Sequence, residues 1–182
     1  MSNSRSQLCL SIPASNSATK KNLPQELEQL PKGEERPSDE VGALFHLELG
    51  QNAQGEKKWD LALEHYALGL SHWPIEPRTL YLLYNNSACC RNMLGFYSEA
   101  EQHCRLAIAT DSKRHEAYTT LGISLQGQGD FTGAVWCFVE ALKVNPFNLQ
   151  AAELLRQLLI DHPTLPLRNP WIQLELDLLE RG

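Results

Sequence analysis

The sequence has no long hydrophobic run. No uninterrupted apolar stretch reaches the ~18 residues that a membrane-spanning helix needs. The apolar residues at positions 8–12 are too few for the core of a signal peptide. We therefore expect a cytoplasmic protein without a membrane partner.

Spacings typical of metal, redox or phosphate sites are also missing. The five cysteines form no CxxC pair and are odd in number, as expected of reduced thiols: Cys9, Cys89, Cys90, Cys104 and Cys137. Cys89-Cys90 could form a redox or soft-metal site, but a small residue filling the core is the favoured interpretation. The six histidines form no HxxxH pair with an intervening Glu, and no Lys-Ser/Thr follows the glycines near position 128. We predict no catalytic, cofactor-binding or metal-binding residue, and no enzymatic activity.

Basic clusters are absent too. The formal net charge is −6, and the basic residues reach only doublets such as Lys57-Lys58 and Lys113-Arg114. A surface that binds nucleic acid needs clustered Lys and Arg against the phosphates. We therefore expect no nucleic-acid partner and interpret the doublets as solvated helix ends.

The chain divides near position 40. Residues 1–40 are rich in Ser, Asn, Pro, Lys and Glu, and they carry too little apolar surface to offset chain entropy. We predict that this N-terminal segment is disordered, although residues 23–30 could form a helical turn. Helix formers dominate from Val41 onward.

A repeat of about 34 residues runs through the rest of the chain. The copies are predicted at 43–76, 81–114 and 115–148. Each copy has a small residue twelve positions before an Ala, which places both residues where two helices of a hairpin meet. These pairs are Gly50 with Ala62, Ala88 with Ala100, and Gly122 with Ala134.

The pattern indicates helical hairpins that must stack. In the third copy, Ala134, Phe138 and Ala141 form one stripe of the second helix. Gly95 and Gly129 mark turns inside the second and third hairpins, whereas the first has Lys57 at that place, a weaker turn signal. A single hairpin cannot bury its apolar face, so about three must stack.

From about 41 to 161 the chain resembles the tetratricopeptide repeat family. The third copy carries the family's pattern most fully, in Tyr118, Leu121, Gly122, Leu125, Ala134, Phe138, Ala141 and Pro146. The resemblance implies an all-α fold, a right-handed superhelix of antiparallel helical hairpins. It also implies a concave face that binds a protein or peptide partner.

Residues after the repeats are expected to cover the end of the array. Residues 149–161 read as a solvation helix. Residues 162–182 read as a Pro-rich link and a last helix that Asn169 caps, with Trp171, Leu174 and Leu178 on one side. We predict about eight helices, near 42–56, 59–72, 79–94, 97–110, 115–127, 131–144, 149–161 and 170–180.

The resemblance also places a groove along the first helix of each hairpin. Its predicted lining is amide-rich and nearly neutral, which suits hydrogen bonding to the backbone of an extended peptide. The predicted residues are Leu47, Gln51, Gln54, Asn85, Asn86, Cys89, Asn92, Met93, Glu116, Thr119, Thr120 and Ile123.

Chaperone-associated members of the family hold an acidic peptide tail with a clamp of Lys, Asn, Asn, Lys and Arg. Here Asn86 matches the second Asn, but Leu47, Glu116 and Thr120 replace the cations. Without cations the clamp cannot neutralise carboxylates, so an acidic tail is not expected to bind.

We predict a non-enzymatic adaptor or scaffold that binds an extended segment of a partner. Two alternatives remain open at this point. One is a small chaperone of the secretion or co-chaperone type. The other is a structural subunit of a larger assembly or homodimer, and the oligomeric state stays undetermined.

Overall fold

A computed structural model describes residues 38–181, and in that range every regular element is a helix. The predicted all-α class is confirmed. The helices are α1 Glu40–Gly55, α2 Trp59–Ser71, α3 Pro77–Met93, α4 Tyr97–Thr110, α5 His115–Gly127, α6 Phe131–Val144, α7 Leu149–Asp161, α8 Leu165–Arg168 and α9 Pro170–Arg181. The segment predicted to be disordered lies, except for its last three residues, outside the described residues.

The first six helices form three antiparallel hairpins, α1 with α2, α3 with α4 and α5 with α6. Each second helix also packs on the first helix of the next hairpin. The first helices contact one another in sequence, α1 with α3 and α3 with α5. One side of the solenoid is therefore built from first helices, as the repeat pattern predicts.

Small residues set the distance between the helices of a hairpin. A Cβ atom added at Gly50 would collide with the Tyr66 ring, and one added at Gly122 would collide with the Phe138 ring. Both rings are fully buried. The aromatic side chain of each second helix thus occupies the space that the missing side chain leaves.

The three turns inside the hairpins share one backbone conformation. Gly95 and Gly129 have φ of 81° and 82°, and Lys57 occupies the same left-handed region with φ of 60°. Only glycine enters this region without a steric cost. The turn that the sequence marks weakly at Lys57 therefore has the same form as the other two.

The C-terminal region differs from the expectation in the number of helices. A short helix, α8, forms inside the Pro-rich link, so the described residues contain nine helices rather than about eight. Asn169 does not cap the last helix with its side chain. Its Nδ2 donates to the Leu165 carbonyl at 3.1 Å and closes α8 instead.

Of the three residues predicted on one side of the last helix, only Trp171 packs on the core. Ile172 is fully buried, and Leu176 and Leu179 pack on the same core, whereas Leu174 and Leu178 are 60% and 54% exposed. Helical periodicity fits both stripes equally well. The observed stripe is the one that packs on the core cluster, and at the contact of α9 with α6 Lys143 Nζ lies 2.9 Å from Glu175 Oε2.

Candidate binding groove

A groove of about 330 Å³ opens on the side formed by the first helices. It lies between the α1–α2 turn, helices α3 and α5, and the start of α7. Its lining residues are Gln54, Trp59, Asn85, Cys89, Asn92, Met93, His115, Glu116, Thr119, Thr120, Ile123, Asn148 and Gln150.

Nine of the twelve predicted residues line this groove. The structure does not place the other three there. Leu47 is only 5% exposed and packs in the core of the first hairpin. Asn86 is half-buried on α3, outside the lining. Gln51 is exposed on α1 outside the lining.

Four lining residues were missed: Trp59, His115, Asn148 and Gln150. Trp59 belongs to a second helix, and the other three lie within two residues of a helix start. The prediction considered the exposed faces of the first helices and therefore did not include them. Asn148 carried a usable signal, because Asn directly before an apolar helix is a preferred N-cap. Its side chain does cap α7, accepting from Ala151 N–H at 3.1 Å.

The floor of the groove is a network of internal hydrogen bonds between α3 and α5. Asn92 donates to the Thr120 carbonyl at 3.1 Å and accepts from the Ser124 hydroxyl at 2.9 Å. The Thr120 hydroxyl reaches Asn85 Oδ1 at 3.2 Å. Both ends of the Asn92 amide and the side-chain oxygen of Asn85 are therefore engaged within the fold, which leaves fewer free amide groups on α3 for a peptide backbone.

The walls are mainly apolar. Met93 is 62% exposed, and Trp59 and Ile123 are half-buried beside it. Cys89 contributes a thiol whose pKa is raised, first by burial, so that it stays protonated at neutral pH. This surface suits contact with apolar side chains of an extended segment.

Glu116 is the only formally charged residue of the lining. One of its oxygens lies 3.6 Å from Arg114, and the other accepts from the Tyr81 hydroxyl at 3.3 Å. Arg114 in turn lies over the Tyr81 ring, 4.6 Å from its centroid. Arg114 is thus already paired, and none of the Lys or Arg residues that the structure describes lines the groove.

The other three cysteines of the described region are core residues. Cys90, Cys104 and Cys137 are fully buried, and burial raises the pKa of Cys90 and of Cys137 to about 12. His103 is half-buried against Tyr84. Burial, and then Arg91, lowers its pKa to about 4.

Two further kinds of feature, a metal-binding cluster and a membrane-spanning helix, bear on function. Among residues 38–181, no three His, Cys, Asp or Glu side chains are placed to hold a metal ion. No helix in the described part of the chain is long and apolar enough to cross a membrane.

Comparison with known proteins gives tetratricopeptide proteins among the curated relatives. No family model matches the chain. Human tetratricopeptide repeat protein 7B is 34% identical over 95 residues, 52% of this chain and 11% of its own length. RNA polymerase II-associated protein 3 from Rattus norvegicus is 30% identical over 132 residues, 69% of this chain and 19% of its own. The chain thus spans less than a fifth of the length of these relatives.

Solved structures agree with the fold. The first tetratricopeptide domain of Spaghetti (RPAP3), bound to the HSP90 peptide SRMEEVD, superposes with a TM-score of 0.61 at 27% identity. The alignment covers 66% of this chain and 92% of that one. The second such domain of human RPAP3, in complex with the HSP70 peptide SGPTIEEVD, gives a TM-score of 0.60 at 26% identity, covering 65% and 95%. On its repeat pattern, its stacked hairpins and these relatives, the chain belongs to the tetratricopeptide repeat family.

Proposed function

We propose that the protein is a non-enzymatic adaptor that binds an extended, neutral or mildly basic segment of a partner protein in the groove. The observation that carries the proposal is the lining itself. It combines apolar walls with amide and hydroxyl groups, and its single formal charge is the carboxylate of Glu116. A neutral or basic segment meets no repulsion there, whereas an acidic one does. We further propose a cytoplasmic location, in line with the unpaired cysteines of the described region.

The similar structures support peptide binding but suggest a different peptide. The RPAP3 domains were solved with peptides that end in Glu-Glu-Val-Asp. In this chain, Leu47 and Thr120 stand where the clamp has cations, and Glu116 adds a negative charge. A co-chaperone role that depends on such acidic tails is therefore the alternative. The two proposals differ in the charge of the peptide that the groove is expected to bind.

The test is a selection of random 12-residue displayed peptides on the full chain. We expect enriched sequences that are apolar and not acidic. Met93→Arg should abolish the enrichment, because Met93 is exposed in the groove wall. Leu106→Arg is the matched control, since Leu106 is also an exposed apolar residue on a helix, 46% exposed, but lies outside the lining. Equal loss in both variants, or no enrichment at all, would contradict the proposal.

Charge reversal at Glu116 gives a second test. The unmodified protein should not measurably bind the peptide SRMEEVD in a calorimetric titration. Glu116→Lys should bind this peptide about 2- to 5-fold more tightly than Glu116→Gln, the effect of one partly exposed ion pair. Glu116→Gln is the control, because it removes the repulsion without adding a cation. Tight binding of SRMEEVD by the unmodified chain would favour the co-chaperone alternative.

One observation favours the structural-subunit alternative. The last two helices leave three leucines largely exposed, Leu167 at 81%, Leu174 at 60% and Leu178 at 54%. Exposed apolar side chains near one another often mark a contact with another protein. Native mass spectrometry distinguishes the cases, since an adaptor that acts alone gives the mass of one chain.

A further inference from the structure

Asn148 connects three parts of the molecule through one amide group. Its Oδ1 accepts from Ala151 N–H at 3.1 Å, which caps α7. Its Nδ2 lies 2.9 Å from Thr119 Oγ1 and 3.1 Å from His115 Nδ1. The residue is 8% exposed, so these contacts are made away from water.

The direction of each of these hydrogen bonds follows from the donors that are present. A backbone N–H can only donate, so the atom of Asn148 that faces Ala151 must be the oxygen. The NH₂ group then faces both Thr119 and His115. The Thr119 hydroxyl donates to the His115 carbonyl at 3.1 Å and is thus available to accept from Asn148. Both hydrogens of the Asn148 amide are accounted for.

This arrangement fixes the tautomer of His115. A nitrogen that faces an amide NH₂ must accept, so Nδ1 carries no hydrogen. In a neutral imidazole the proton then sits on Nε2. Among the described residues, none accepts a hydrogen bond from Nε2 of His115. Nε2 is also not one of the buried side-chain atoms that lack a partner in this part of the chain. His115 therefore presents an N–H donor at the groove that it lines.

We infer that His115, positioned by Asn148, is a peptide-binding residue whose Nε2–H donates to a main-chain carbonyl of the bound segment. The inference rests on the proposed function. The neighbouring polar groups of the floor are engaged with one another, as Asn92 and Thr120 show. The Nε2–H group of His115 thus remains available to donate a hydrogen bond to a partner. An extended chain supplies carbonyl acceptors at regular spacing, whereas a Lys side chain or an N-terminal amine at this point offers only donors.

The first experiment measures the tautomer without any partner. A long-range proton–nitrogen correlation spectrum of the imidazole groups, recorded at about pH 8.5, should show the Nε2–H form of His115. Asn148→Asp should convert it to the Nδ1–H form, because a carboxylate accepts from Nδ1. Asp is also a good N-cap, so α7 should stay folded. An Nδ1–H tautomer in the unmodified protein would overturn the inference.

The second experiment measures binding of the most enriched peptide from the displayed library, also at about pH 8.5. His115→Leu should weaken binding about 10-fold, the usual effect of one hydrogen bond. His115→Gln should bind nearly as well as the unmodified protein, since its amide places a donor near the Nε2 position. Asn148→Asp should weaken binding about as much as His115→Leu.

The outcomes separate the inference from the function on which it rests. Unchanged affinity in both His115→Leu and Asn148→Asp would overturn the inference and leave peptide binding intact. Equal losses in His115→Leu and His115→Gln would also overturn it, because a ring that only packs would be lost in both. The absence of any enriched peptide would overturn the proposed function, and with it the partner role of His115, whatever tautomer is found.

Discussion

At the scale of single residues, two glycines show why the repeat spacing predicts the fold. Gly50 and Gly122 each face a buried aromatic ring of the following helix. The repeat pattern therefore requires a small residue at this spacing because the two helices of a hairpin pack closely at this point. The predicted bounds of the hairpin helices, which rest on this repeat pattern, lie within a few residues of the observed bounds.

Replacing Gly122 with Ala should destabilise the protein. The added methyl group would collide with the Phe138 ring, which is fully buried and has no free space to move into. Overpacking of this kind costs about 1–3 kcal/mol. Gly55→Ala is the matched control, because a Cβ there meets open space. Glycine is a poor helix former, so this change should stabilise by roughly 0.5–1 kcal/mol. Urea unfolding measures both, and equal effects would refute the packing argument.

At the scale of elements, the first hairpin contains a cluster of three histidines. His46 Nδ1 lies 3.3 Å from His65 Nδ1, and the ring of His46 also stacks on His72 with 5.4 Å between centroids. His72 pairs with Asp39 at 2.8 Å, and Asp39 caps α1 by accepting from Gly42 N–H. The cluster thus joins the start of α1 to the end of α2.

Mild acid should weaken this hairpin. The pKa of His46 is lowered by desolvation and then by His72 and His65, so the unfolded chain takes up this proton more readily than the folded one. Stability should fall as pH drops below about 6.5, the ordinary value for histidine. The pKa of Asp39 is lowered, first by its hydrogen bond to Gly42, so its contribution is lost only in stronger acid, below about pH 4. Thermal melts from pH 8 to 5 should show a smaller decrease for His46→Phe than for the unmodified protein. An identical decrease would rule out the cluster as the cause.

The last helix provides the sharpest comparison between two faces of one element. Ile172→Ala should cost about 2–4 kcal/mol, because Ile172 is fully buried in the core cluster. Leu174→Ala should change stability by less than about 0.5 kcal/mol, since Leu174 is 60% exposed. The sequence pattern alone placed Leu174 on one side of this helix with Trp171 and Leu178, and it singled out no role for Ile172. Urea unfolding of the two variants decides, and a larger loss for Leu174→Ala would mean that α9 packs with its other face.

At the scale of the whole molecule, the structural features that occur in every repeat could be predicted from the sequence. The features that occur only once could not. The three hairpins and nine groove residues follow from positions shared by all copies. The missed residues, His115 and Asn148 among them, depend on connections that occur once, where no second copy supports a prediction. Likewise, the short helix α8 and the face of α9 depend on tertiary packing that periodicity does not encode.

Removing residues from the C-terminus should test how far the array depends on its last helices. Leu155 and Leu158 of α7 and Ile172 of α9 are buried in the same cluster as the third hairpin. Each such side chain contributes about 2 kcal/mol, so a chain ending at Asn148 should lose about 6 kcal/mol. This is close to the whole stability of many small domains. A chain ending at Thr164 keeps α7 and should lose the share of Ile172 and the smaller shares of the partly buried side chains of α9. Thermal melts monitored by circular dichroism should therefore show a graded series, with the shortest chain lacking a cooperative transition. If that chain melted at the temperature of the unmodified protein and stayed monomeric, the covering role of α7 and α9 would be wrong.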